Sequence, residues 1–143
     1  MRNSLLSILL ILSLNSEAKI KADRVIGFSC IYLAGASYGL RETILWHYPK
    51  FKAVHPNAND QFWWWKKSYN NKYTSKVPFA TTAMVWTTDG AHLTNTLHKT
   101  LLLGGVITIG QGKRNWKKYA KDFLMASVTY NVGFHTTYSL IYR

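Results

Sequence analysis

The chain has 143 residues, 18 Lys+Arg against 6 Asp+Glu, and a formal charge of +12. That length suits one cored domain, and 48% hydrophobic residues with 15% aromatics exclude a disordered polycation. A single cysteine excludes an intrachain disulfide framework and a Cys-built zinc site, and three prolines exclude a Pro-rich stalk.

The chain opens with a short basic stretch, Met1-Arg2-Asn3, followed by an apolar run from Ser4 to Leu14. Ser16-Glu17-Ala18 then places small residues at the −3 and −1 positions of a cleavage site. The pattern predicts a signal peptide or N-terminal anchor over residues 1–18 and a single helical domain over 19–143. The apolar run is well short of the ~20 residues that span a bilayer. Removing residues 1–18 takes away Arg2 and Glu17 together, so the charge stays at +12 and belongs to the domain.

Arg24 to Tyr48 reads as a helix that ends at Pro49, because proline lacks an N–H and clashes with the preceding turn. Val25 to Leu40 is apolar or small all round, as in a helix that is fully buried or in lipid. Gly35 and Gly39 share one face and let another helix approach closely. Pro49 to Phe79 is polar, aromatic and turn-rich, and its length argues for an ordered excursion pinned by aromatics. Phe79 to Thr88 reads as a short strand or as the first turns of the next helix. Asp89 is placed to cap a helix running to about Ile109. Lys113 to Lys118 forms a basic turn, and a last helix runs from about Tyr119 to Tyr142. On that helix Ser127, Asn131, His135, Tyr138 and Tyr142 make a polar stripe.

The expected fold is therefore all-α: a small three-helix domain with a long ordered aromatic loop, after an N-terminal signal-like segment. A mean hydropathy of −0.11 is low for a polytopic membrane protein. The pattern suits a domain at a membrane surface or partly embedded in it, with a fully soluble bundle as the alternative.

Two groups of residues can carry function. Glu42, Asp89, His92 and His135, with Asn131, are polar positions on otherwise apolar helices. If the helices bring them together, a carboxylate with two imidazoles can run acid–base chemistry or ligate a metal. Otherwise they satisfy one another inside the bundle. No recognisable catalytic, metal or phosphate-loop motif accompanies them, so the sequence calls for no metal and no cofactor. The second group is Trp63-Trp64-Trp65-Lys66-Lys67, echoed by Trp116-Lys117-Lys118. Tryptophan favours the water–lipid interface and lysine adds attraction to anionic headgroups. The same composition can stack on single-stranded nucleic acid, form a sugar-binding surface, or staple the loop to the helices. Export disfavours nucleic acid, which leaves an anionic membrane surface or another envelope component as the expected partner.

Three short pieces carry a resemblance: Asp23-Arg24-Val25-Ile26-Gly27-Phe28, Gly39-Leu40-Arg41-Glu42 and Asp89-Gly90-Ala91. Together they resemble the small YfiM-like predicted periplasmic proteins. Asn59-Asp60-Gln61-Phe62-Trp63 is similar to a loop in uncharacterised small exported proteins of Bacteroidetes and their phages. Gly27 stands where that family has a histidine, and no lipoprotein cysteine is evident. The resemblance implies export and a helical fold, and it brings no activity. The leading expectation is a non-enzymatic, exported, periplasmic or membrane-associated helical protein that binds or supports the envelope. One alternative is a small hydrolase or metal-dependent enzyme using the Glu/Asp/His set. Another is a phage-type lysis or pore-forming protein.

Overall fold

The computed structural model describes residues 2–112 and 115–142, with side chains from Ala22 onward. The signal-like reading of residues 1–18 rests on side chains outside the described residues. Among those described, the chain is helical and contains no strand.

The first helix, α1, runs Arg2–Trp46 and stops at His47, whose backbone leaves the helical region. It ends before Tyr48 for the expected reason, but Pro49 does more than end it. It occupies the first turn of a new helix, α2 (Tyr48–Val54), where a missing N–H costs nothing. Three single-turn helices follow: α3 (Asp60–Trp63), α4 (Trp65–Ser68) and α5 (Asn71–Thr74). Asn59 caps α3 by accepting from the Gln61 N–H at 2.9 Å. Residues 79–88 form turns and a 3₁₀ turn at Val85–Thr87, neither a strand nor part of the next helix.

The two remaining long helices are α6 (Gly90–Gly110) and α7 (Trp116–His135), and a π-helical stretch, Thr136–Ile141, continues α7. Asp89 caps α6 as its position implies, and Asn115 caps α7 by accepting from the Lys118 N–H at 3.1 Å.

Helix α1 lies between the other two. Ile109 and Gly105 of α6 meet Gly27 and Ile31, His98 bonds the Ala34 carbonyl, and Ala91 joins Ile44 in the core, so α6 runs antiparallel to α1. Along α7, Asp122 pairs with Arg24, Gly133 meets Tyr32, and Tyr138 bonds His47, so α7 runs parallel to α1. The α1–α7 seam is backbone against backbone. A Cβ on Gly35 would stand 2.1 Å from the Tyr130 carbonyl oxygen, and one on Gly133 would stand 2.0 Å from that of Tyr32. Gly35 thus serves the close approach expected of it, with α7 as the partner.

The loop covers one end of this bundle. Ile44, Tyr48, Phe51, Ala91 and Tyr142 form a buried cluster, with Trp63, Trp64 and Trp65 packed around it. At the other end, α7 begins at Trp116, so Lys117 and Lys118 belong to its first turn and not to the expected basic turn, of which Lys113 and Arg114 lie outside the described residues. Burial is therefore uneven along the bundle, dense under the loop and sparse toward the start of α7.

Candidate functional site

The start of α6 builds the most organised polar arrangement. Asp89 is completely buried, and both of its oxygens are used. Oδ1 accepts from the His92 backbone N–H at 2.9 Å. Oδ2 accepts from Thr88 Oγ1 at 3.1 Å and contacts His92 Nδ1 at 2.7 Å. A carboxylate at Nδ1 fixes the proton there and leaves Nε2 as the working nitrogen of the ring. Nε2 bonds to no described residue. Trp65 lies against the imidazole, with ring centroids 5.7 Å apart, and holds its orientation.

His92 lines a cleft of about 490 Å³. Its rim comes from three segments: Arg41, Leu45 and Trp46 of α1, Trp65 and Lys66 of α4, and Ala91, His92 and Asn95 of α6. Glu42 stands at the edge, accepting from Arg41 Nη1 at 2.7 Å and Trp46 Nε1 at 3.1 Å. The structure therefore joins Asp89 to His92 and links Glu42 to the same cleft through Arg41 and Trp46.

His135 stands elsewhere. It is exposed on the outer side of α7 and bonds Ser139 Oγ at 3.0 Å. Asn131 is also exposed and donates to the Ser127 carbonyl at 2.8 Å. The polar stripe splits along its length, because Tyr138 bonds His47 at 2.8 Å and Tyr142 bonds His55 at 2.9 Å on the inner side. Among the described residues, no group of three or more His, Cys, Asp or Glu is placed to hold a metal ion.

The three consecutive tryptophans face inward and are half-buried. Trp64 stacks on Tyr48 with planes 4° apart, Trp63 packs on Phe51 and over Gly90, and Trp65 covers His92. Lys66 and Lys67 are exposed beside them. Asp60 ties this loop down. It accepts from Tyr48 Oη at 2.6 Å and Lys52 Nζ at 2.9 Å, with Lys67 Nζ at 3.4 Å. The Lys52 ammonium, then the Tyr48 hydroxyl, hold the Asp60 carboxyl down at about 2. Burial, with the Asp60 carboxylate beside it, pushes the Tyr48 hydroxyl far up.

The second cluster is differently placed. Trp116 is 73% exposed at the start of α7, and Lys117, Lys118 and Lys121 are exposed around it. Beyond it, Phe123, Leu124, Val128 and Val132 of α7 are exposed, as are Leu103, Val106 and Ile107 of α6 and Val25, Ile26 and Leu33 of α1. These side chains occupy the half of the bundle that the loop does not cover. The sequence marks Val25 to Leu40 as apolar or small all round, but not that so much of the apolar surface stays open.

Comparison with family models, with curated protein sequences and with solved structures gave no match.

Proposed function

We propose that this chain is an exported, membrane-associated helical protein that acts by attachment to an anionic membrane. The single observation that carries this reading is the exposed apolar surface of the open half, bordered by Trp116, Lys117, Lys118 and Lys121. Ten large apolar side chains left open at one end of the bundle are more than the scattered apolar residues of an ordinary exterior. The border supplies what an anionic headgroup layer attracts, namely lysines with an amphipathic tryptophan. No helix among the described residues is long and apolar enough to cross a membrane. The reading is accordingly one of partial embedding, with the apolar side chains in the headgroup–acyl boundary. The basic start, apolar run and small residues before residue 19 support export.

Vesicle flotation tests it. The protein is expected to float with anionic phosphatidylglycerol vesicles at low salt, less at high salt, and weakly with neutral phosphatidylcholine vesicles. Protein that stays at the bottom of the gradient with anionic vesicles at low salt would overturn the proposal. Light scattering that shows a stable oligomer of such protein would assign the apolar face to copies of the chain.

A further inference from the structure

We propose that the cleft at the start of α6 binds a phosphate monoester. This site is separate from the membrane face, lies at the loop end of the bundle, and does not depend on the preceding reading.

Its polar groups are organised but unspent. Asp89 is fully buried and holds His92 at Nδ1, so Nε2 is the available ring atom in a cleft-lining residue. The Asn95 side chain, one turn along α6, bonds to no described residue, and Lys66 has no ion-pair partner among them. Arg41 spends Nη1 on Glu42 and keeps its other donors. Three chain segments thus contribute residues bearing a guanidinium, an ammonium, an amide and an imidazole to the lining of one space of about 490 Å³.

The mixture of groups selects the ligand class. Lys66 attracts an anion, and the guanidinium of Arg41, paired with Glu42 through Nη1, has further forked N–H donors that suit an oxyanion. An imidazole fixed at Nδ1 accepts at Nε2 when neutral and donates when charged. A phosphate monoester, with its second ionisation near ~6, offers both P–O⁻ and P–OH oxygens around neutral pH and matches either state. Sulfate and phosphodiesters cannot donate in this way. Trp46 and Trp65 give flat walls for the group the phosphate carries. That group can belong to a soluble phosphate ester or to the headgroup of phosphatidic acid, since both present the same monoester.

The experiment uses the whole chain, with calorimetry and imidazole NMR. Titration with glycerol phosphate and with inorganic phosphate should saturate and move the His92 ring signals, while sulfate and dimethyl phosphate should bind at least tenfold more weakly. Lys66→Ala and Asn95→Ala touch exposed or half-exposed side chains. Each should weaken phosphate binding by about tenfold, the scale of a charge-assisted or well-placed hydrogen bond, with an unchanged circular dichroism spectrum. His92→Leu, which leaves no acceptor at that position, should erase the preference for phosphate over sulfate. Vesicles of phosphatidic acid compared with phosphatidylglycerol separate the sources. A gain specific to phosphatidic acid assigns the lipid headgroup, and glycerol phosphate binding without that gain assigns a soluble ester. No saturable phosphate binding, equal binding of sulfate, or unchanged affinity in the Lys66→Ala and Asn95→Ala proteins would overturn the proposal.

Discussion

Asp89 carries more of the local structure than any other charged residue in the loop end. It ends the irregular segment, caps α6 and orients His92 from a fully buried position. Asp89→Ala removes the acceptor for the His92 backbone N–H and ring N–H at once, while the Thr88 hydroxyl keeps the Val85 carbonyl at 2.7 Å. The expected cost is about 1–3 kcal/mol, the sum of a lost cap and buried donors left unpaired. Urea unfolding measures it, and a midpoint equal to wild type would show that Asp89 is dispensable. Asp60 gives the pH-dependent counterpart. Its folded carboxyl is held at about 2, below its ordinary value, first by Lys52 and then by Tyr48. A depressed folded value means that its stabilisation is fully present above the ordinary carboxylate range and is lost as pH falls toward 2. Because Tyr48 stacks on Trp64, the loss should appear as a tryptophan fluorescence change below about pH 4. Asp60→Asn should flatten that acid transition, and an unaltered transition would place its cause in another carboxylate.

The helices are held by glycine seams, so the consequences of adding one methyl group depend on the seam. Gly133→Ala sets a Cβ against the Tyr32 carbonyl, and Gly35→Ala sets one against the Tyr130 carbonyl, neither of which can swing away. Each should destabilise by roughly 1–3 kcal/mol through overpacking. Gly104→Ala meets no atom within 4 Å and should stabilise α6 by about 0.5–1 kcal/mol. Thermal melts of the three variants therefore diverge in sign, and a common sign would refute the seam. Much of this level was legible in the chain. Asp89 as a cap and Gly35 as a contact are local chemistry, and so is the break at Pro49. The rest depended on how helices rotate when they pack. The spacing of Ser127, Asn131, His135, Tyr138 and Tyr142 groups them on one side but does not say which side faces α1. Gly133 at the seam turns Asn131 and His135 outward. The π-helical turns after His135, closed by Tyr142 N–H to the Thr137 carbonyl at 3.2 Å, shift the register and bring Tyr138 and Tyr142 back to the inner side. The cleft was harder still to read, since Arg41, Lys66 and Asn95 lie on separate segments and only long-range packing joins them.

At the scale of the molecule, the two clusters that pair tryptophan with lysine do different work. The tryptophans at 63–65 are packed into the loop core, so their apolar bodies are already occupied. Trp116 is exposed, and its lysines border the open apolar half. If the charge acts through a membrane, the two clusters should separate in one experiment. Replacing Lys117 and Lys118 with Gln removes attraction worth about 1 kcal/mol per residue near an anionic surface, which weakens vesicle binding by about thirtyfold at low salt. The loss should shrink as salt screens the wild-type protein. Replacing Lys66 and Lys67 with Gln should leave binding to phosphatidylglycerol vesicles within about twofold, because the tryptophans beside them are half-buried against the loop core instead of projecting from it as Trp116 does. Phe123→Ser and Leu124→Ser together should lower binding at every salt concentration, since they remove apolar burial rather than charge. Equal losses from the two lysine pairs would mean that net charge alone drives association. An unaffected Phe123→Ser, Leu124→Ser protein would mean that the apolar face is covered by something other than lipid.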